Sequence, residues 1–480
     1  MWGYTGRTVC PYDTIVVSMP LRRLFLGAVS AGLLLLAPTA ALRAQPQTAD
    51  TDPLVVGTDH PRLFLRPARL RLLRRERERT SMRWQQFDNL MSANAIMPEP
   101  AFAQALNFQI SGKADAGKQA VAWALGPNSG PTPDLRQLAL VFDWCQDQLS
   151  ESQQTALAAR MQKRLTETAA DQSISAMRSR ALAAVALFDH VPQVPQRELE
   201  RVRTWWNTRI VPVLKAGRDP IPRDDAYALM ELLHAMRDNT NLDLRESASS
   251  FFKDFPIDHL LSYYPAPYPA PENDYYIGAT RKAGDPDLRL AAFSRAAELA
   301  MVAYDVNAPE TQVLQGWLMH DRFMLRGMLG VPYEFLWANP YQPGLSYYHV
   351  PLTYYNPDLG RLFIRSTWQD DALWFGFFDG TMQLFDNGKL TTMNPQLVSA
   401  PMSIGEAVIC LAQSVRRFEV KLGEEEDAVF IVGLKPRQTY QVEVDDEEMF
   451  EGAADRGGIL PLLDVPRGKA TGIRLKELAN

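Results

Sequence analysis

The chain changes its hydrophobic period once, and that change constrains its fold more than any single motif. Before residue 360 apolar residues recur at helical spacing and no convincing strand appears. After Tyr347-Tyr348-His349, short aromatic and β-branched runs alternate with turn signals. Helices followed by strands imply an α+β multidomain chain, with a helical body first and a β-sandwich after it.

Leu135, Leu138, Ala139, Phe142 and Cys145 form one apolar stripe. Ser150 starts the next helix with Gln153 three residues on, a capping-box spacing, and Leu157, Met161 and Leu165 continue its stripe. Further helical patterns cover Pro67 to about Leu90, Ile174–His190, Glu198–Leu214, Asp224–Arg237, Phe251–Tyr263, Leu288–Tyr304 and Thr311–Leu325, with Pro and Gly at the joints. Around ten helices in succession, with no exact repeat, predict hairpins curling into an (α/α) toroid. The Arg-rich block Arg69–Arg79, interleaved with Glu76 and Glu78, predicts a solvated helix face with i,i+3 and i,i+4 pairs.

In the second part, Arg361–Trp368 and Ala372–Phe378 predict a hairpin around Gln369-Asp370-Asp371. Asp386-Asn387-Gly388 is a turn after Met382–Phe385. Ala407–Ala412, Arg417–Leu422, Ala428–Val432, Tyr440–Val444 and Ile473–Leu475 are further strand candidates.

The N-terminus has the order of an export signal. Arg22-Arg23 precede an apolar core, Leu24–Ala37, and small residues with Ala41 and Ala44 as cleavage positions follow, with Met19 as the expected start. The expected division is 1–44 signal peptide, 45–57 linker, 58–349 toroid and 350–480 sandwich, with a periplasmic or secreted location and no stable membrane span after processing. Removing residues 1–44 leaves 46 basic and 55 acidic side chains, a net charge of −9. Such a chain repels nucleic acid, and a uronate-bearing glycan would need a local Arg or Lys cluster. Cys145 and Cys410 fall in different predicted parts, so stability is expected from core burial rather than a disulfide.

The run His60-Pro61-Arg62-Leu63-Phe64-Leu65 resembles the opening of the heparinase II/III-like family. The stretch Arg361–Trp368 with Trp374–Gly380 is similar to that family's first sandwich strands. The resemblance implies an exported polysaccharide lyase with an (α/α) toroid and a C-terminal β-sandwich, whose partner is a polysaccharide or oligosaccharide. The family's His-x-His-x-x-Asp segment is absent, because no His follows His349. No metal or other cofactor is therefore expected. Its Asn-Asn-His helix start is replaced by Arg223-Asp224-Asp225, where Asp224 reads as a helix N-cap.

Two loops and one helix carry the candidate site. Tyr276, His320 and His349 are the candidates for proton transfer. Asn273, Tyr275, Trp317, Arg322, Tyr347 and Tyr348 are the candidates for binding sugar. The alternative for the tyrosines is to plug the toroid mouth, for His320 an interior hydrogen-bonded role, and for His349 adhesion between domains. Asp225, Glu231, Asp274, Asp321 and Glu334 leave a carboxylate pair for hydrolysis open. Three functions follow: a lyase using β-elimination on a uronate-containing polysaccharide, a non-catalytic glycan-binding or envelope-structural protein, and a glycoside hydrolase.

Overall fold

The computed structural model describes residues 53–270, 274–282, 284–321, 327–413, 415–446 and 448–478. The expected signal, and the linker up to residue 52, lie outside the described residues. Residues 53–480 form one compact unit.

Six helices line the inside of a ring: Pro100–Ser111, Leu135–Trp144, Ile174–Leu187, Ala226–Thr240, Leu288–Tyr304 and Gly327–Trp337. Each packs on the next, and Met82–Ser92 closes the ring between the last and the first. Every residue of Leu135–Trp144 is buried, as befits a helix surrounded by others. Ala114–Leu125, Glu151–Glu167 and Val194–Trp205 lie outside their inner partners, while Ser249–Leu261 and Pro309–His320 pack on each other and on Leu288–Tyr304. This is the expected toroid.

Local chemistry sets the helix ends. The capping box of Ser150 with Gln153 forms in full. The pattern from Pro67 onwards is two helices, because Ser81 accepts from the Trp84 backbone N–H at 3.2 Å and starts a second one. Past Trp205, the expected continuous helix passes through a π-turn, Trp206–Ile210, next to Pro212, which lacks the N–H an α-helical register needs. Residues 93–134 hold two helices, Pro100–Ser111 and Ala114–Leu125, that were not anticipated.

All the inner helices turn their C-terminal ends toward the N-terminal segment. Asp143 Oδ2 accepts from the backbone N–H of Arg62 at 3.0 Å and of Leu63 at 2.8 Å, and His60 Nδ1 lies 2.6 Å from Asp143 Oδ1. Trp144 Nε1 donates to the Leu63 carbonyl at 2.9 Å, and Phe64 packs on Trp337. The Arg-rich block is solvated in part, with Arg71, Arg74, Arg75, Glu78 and Arg79 exposed, but its arginine hydrogen bonds run to helix ends rather than to i,i+3 or i,i+4 partners among the described residues. Arg69 donates to the Trp337 carbonyl at 2.7 Å, Arg74 to Gln109 at 3.1 Å, and Arg77 to Ile110 and Ser111, both at 2.8 Å. Arg83 reaches the Ala338 carbonyl at 2.9 Å. These are terminal carbonyls of inner helices, whose partial negative charge arginine complements.

The strands form three stacked sheets rather than a simple pair. The first runs in chain order: Thr353–Asn356, Arg361–Arg365, Trp374–Phe378, Thr381–Asp386 and Lys389–Thr392, antiparallel throughout. The second is ordered Ile459–Leu462, Ala428–Val432, Ala407–Leu411, Met402–Ile404, and the third Arg417–Lys421, Ala470–Glu477, Thr439–Val444, Glu448–Ala453. The pairing is antiparallel except between Ala428–Val432 and Ala407–Leu411. Those two strands are buried at every position, because alternate residues face the first and third sheets.

The first sheet's other face meets the helical body. Phe363, Trp374, Phe378 and Phe385 pack there with Leu261 and Tyr264. Trp374 Nε1 donates to the Leu261 carbonyl at 3.1 Å, and the Tyr264 hydroxyl to Gln383 at 2.9 Å. Strand alternation puts Arg361 and Arg365 on this same face as Phe363.

Candidate functional site

Where helix Ser249–Leu261 ends, the chain enters a short two-stranded turn in which Tyr268 pairs with Tyr275. Tyr276 follows on the opposite face. Its ring meets Trp317 edge-on at 5.2 Å, and Trp317 stacks on Tyr263 at 5.0 Å. Trp317 is 4% exposed, so it is a floor for the tyrosines rather than an open platform for a sugar. Arg295 lies over the Trp317 ring at 4.6 Å.

Beneath this aromatic layer is Glu298, fully buried in helix Leu288–Tyr304. Tyr263 donates to its Oε1 at 2.5 Å, Arg223 at 3.2 Å, and His259 Nδ1 lies at 3.5 Å. Burial alone would raise the Glu298 carboxyl, but the His259 hydrogen bond and the Arg295 and Arg223 charges hold it below the usual range. Tyr263 is pushed up to about 12 by burial and by that carboxylate. Arg295 also pairs with Asp321, whose own carboxyl burial raises. Sequence reasoning missed Glu298. The available signal was Ser294, Arg295 and Glu298 at helical spacing in an otherwise apolar helix.

The loop after the last inner helix supplies the other wall. Tyr347 stacks on Tyr348 at 4.4 Å, meets His320 at 5.4 Å, and contacts Trp368 edge-on at 5.3 Å. Trp368 lies under Arg365, 4.6 Å from the ring centre. Tyr276, Tyr347 and Arg365 sense one another's charge, so the two walls face each other. The Tyr276 hydroxyl donates to Asp370 at 3.1 Å. Burial, with the charges of Asp370 and Asp321, raises its pKa.

Arg365 is 4% exposed, and its Nε donates to the Thr367 carbonyl at 3.0 Å. Burial lowers its pKa to about 10, which leaves it charged at neutral pH. Among the described residues no carboxylate lies within ion-pair distance of it, although the Asp370 charge bears on it. The buried Trp368 Nε1 also has no acceptor among them. A buried cation and a buried, unpartnered N–H thus lie behind the Tyr347 wall.

Six of the nine candidate residues lie in or beside this cleft: Tyr275, Tyr276, Trp317, His320, Tyr347 and Tyr348. His320 is exposed at the end of its helix rather than interior. His349 is exposed and joins none of these contacts. Asn273 and Arg322 lie outside the described residues. Asp224 does not cap the helix that follows: a 3-10 turn, Arg223–Asp225, intervenes, and Asp224 instead faces Lys282 at 3.5 Å. Glu231 is committed to Arg136 at 2.7 Å and Arg178 at 3.1 Å inside the ring.

Among the described residues, His60, Asp189 and His190 have ligand atoms spaced as a metal site would need. Arg62 already hydrogen-bonds both His60 Nε2 and Asp189, so a fixed guanidinium fills the cation's place. None of the described helices is long and apolar enough to cross a membrane.

No family model and no curated protein matches this sequence. A solved structure described as a glycoside hydrolase aligns over 79% of this chain and 71% of that chain at 10% identity, with a TM-score of 0.29, below the value of a shared fold.

Proposed function

We propose that the protein is an exported glycan-active enzyme, a divergent polysaccharide lyase similar to the heparinase II/III-like group. The observation that supports this best is Arg365, a buried cation beside Tyr276 and Tyr347 on which the Asp370 charge bears but which no carboxylate among the described residues holds in an ion pair. A uronate carboxylate suits it. β-Elimination needs that carboxylate neutralised, a base for the adjacent C–H proton, and an acid for the leaving oxygen. Arg365 and Trp368 Nε1 take the first role. Tyr276 holds its proton, since burial and Asp370 raise its pKa, and so takes the acid role. His320, on the same helix as Trp317 and against Tyr347, takes the base role. The C–H electron pair becomes the new C=C bond as the C–O bond breaks, and Tyr276 protonates the departing oxygen.

One observation favours a hydrolase as the second reading. Asp321 and Asp370 both bear on Tyr276, and burial raises the Asp321 carboxyl as a general acid requires. The test is a screen of uronate-containing and neutral polysaccharides, read by the absorbance of unsaturated products and by reducing-end release. Both signals together support elimination. Reducing ends alone move the assignment to hydrolysis, and saturable binding without either product moves it to a non-catalytic glycan binder.

A further inference from the structure

A separate cleft of about 400 Å³ opens where the helical body meets the turns of the first two sheets. It is lined by Arg218 and Asp219 from the helical body, Arg361 and Asp379 from the first sheet, and Arg456 from the turn before Ile459–Leu462. Arg361 and Arg365 are four residues apart on one strand, so this cleft lies roughly 13 Å along the sheet from the Tyr276 site.

Its walls are held by close backbone contact. A side chain at Gly360 would lie 2.5 Å from the Gly457 nitrogen, and one at Gly457 would lie 2.6 Å from the Gly360 carbonyl oxygen. Gly217 has φ +65°, and a side chain there would lie 2.8 Å from the Asp358 carbonyl oxygen. Arg456 Nη1 donates to the Gly217 carbonyl at 2.5 Å and ties the helical body to the second sheet's turn. The cleft is thus built before any ligand arrives.

Its charges are unevenly satisfied. Arg361 is neutralised by Asp219 at 3.1 Å and Asp258 at 3.3 Å. Arg456 is bound to a carbonyl, and Arg218 is exposed; among the described residues neither has a carboxylate partner. Two arginines converge on one cavity of an acidic protein, and planar guanidinium groups recognise oxyanions through paired N–H donors.

We propose that this cleft is a second binding site, which takes the oxyanion of an acidic saccharide, a carboxylate or a sulfate ester, on Arg218 and Arg456. The saccharide part rests on the glycan reading above; the oxyanion part does not.

Titration calorimetry with inorganic sulfate and with trigalacturonate tests it on the full chain. The variants are Arg218→Glu, Arg218→Lys and Tyr276→Phe. Arg218 makes no contact that folding needs, and an unchanged melting temperature checks this. Wild type should bind both probes. Arg218→Glu should weaken sulfate binding by on the order of tenfold or more and remove one of two trigalacturonate sites, Arg218→Lys should restore part of the loss, and Tyr276→Phe should leave sulfate binding unchanged. Sulfate binding that depends on Arg218, with no binding of trigalacturonate, would keep the oxyanion site and remove the glycan reading. Trigalacturonate binding that Tyr276→Phe weakens and Arg218→Glu does not would remove the second site and keep the glycan reading. Absence of both probes from the wild-type protein also overturns the proposal.

Discussion

The two ends of the helical ring use similar residues in opposite ways. At the closed end His60, Arg62, Asp143, Asp189, His234 and Asp238 are tied to each other or to backbone. At the junction with the first sheet, Arg365 is held only by the Thr367 carbonyl and the Trp368 ring, Trp368 Nε1 has no acceptor among the described residues, and Tyr348 and His320 are exposed. Histidine and aspartate in close array therefore do not mark a reactive site by themselves. What sets the junction apart is the pairing of aromatic walls with exposed polar groups, Tyr348 and His320.

The largest expected effect separates the ends by activity. Tyr276→Phe should lower turnover on the order of 10²–10⁴-fold with the melting temperature unchanged, because it removes only the proton donor. An active Phe variant would end the comparison, since the junction would then be as structural as the closed end. Asp143→Ala should do the reverse. It strips an acceptor from two buried N–H groups and a partner from His60, so denaturant unfolding should show a loss of about 3–5 kcal/mol. Activity per folded molecule should stay at the wild-type level.

Acid sharpens the contrast. The hydrogen bond from His234 and the charges of His234 and Arg237 overcome burial and hold the Asp238 carboxyl at about 2. The folded pKa is below the unfolded one, so this stabilisation is present above pH 4 and is lost as pH falls toward 2. Its size is on the order of 2 kcal/mol. Unfolding curves of wild type and Asp238→Asn should converge across that window; parallel curves would show that the pair contributes nothing.

The smallest effect probes the arginine caps. Arg74→Ala removes one side chain from the Gln109 carbonyl and should cost about 0.3–1 kcal/mol, less at high salt. A salt-independent loss would point to packing rather than to the helix dipole.

Legibility in the sequence followed periodicity. The strand Ala428–Val432 and helix Leu288–Tyr304 have the expected bounds, because each is a mainly apolar run with clear ends: Asp287 caps the helix, and Asp427 and Gly433 bracket the strand. The three-sheet stacking was not legible: Ala407–Leu411 is apolar on both faces, and an apolar run does not say what covers each face. The arginine block is exposed in part as expected, but its partners were not legible, since its acceptors are carbonyls in distant helices. Within the candidate site, the aromatic loops were legible from composition. Glu298 and Arg365 were not, because a buried charge resembles a surface one until its neighbours are known.

The arginine caps also set the order in which this molecule can be built. Arg69 in the first helix binds a carbonyl 268 residues further along the chain. The first helix cannot find its acceptor until the last inner helix has formed, so closure is a non-local event, of the kind that slows folding. A fragment that stops before Gly327–Trp337 would leave arginines facing nothing and inner helices facing water. Proteolytic sensitivity in such a fragment should therefore extend around the ring, because its closure joins the first helix to the last inner one.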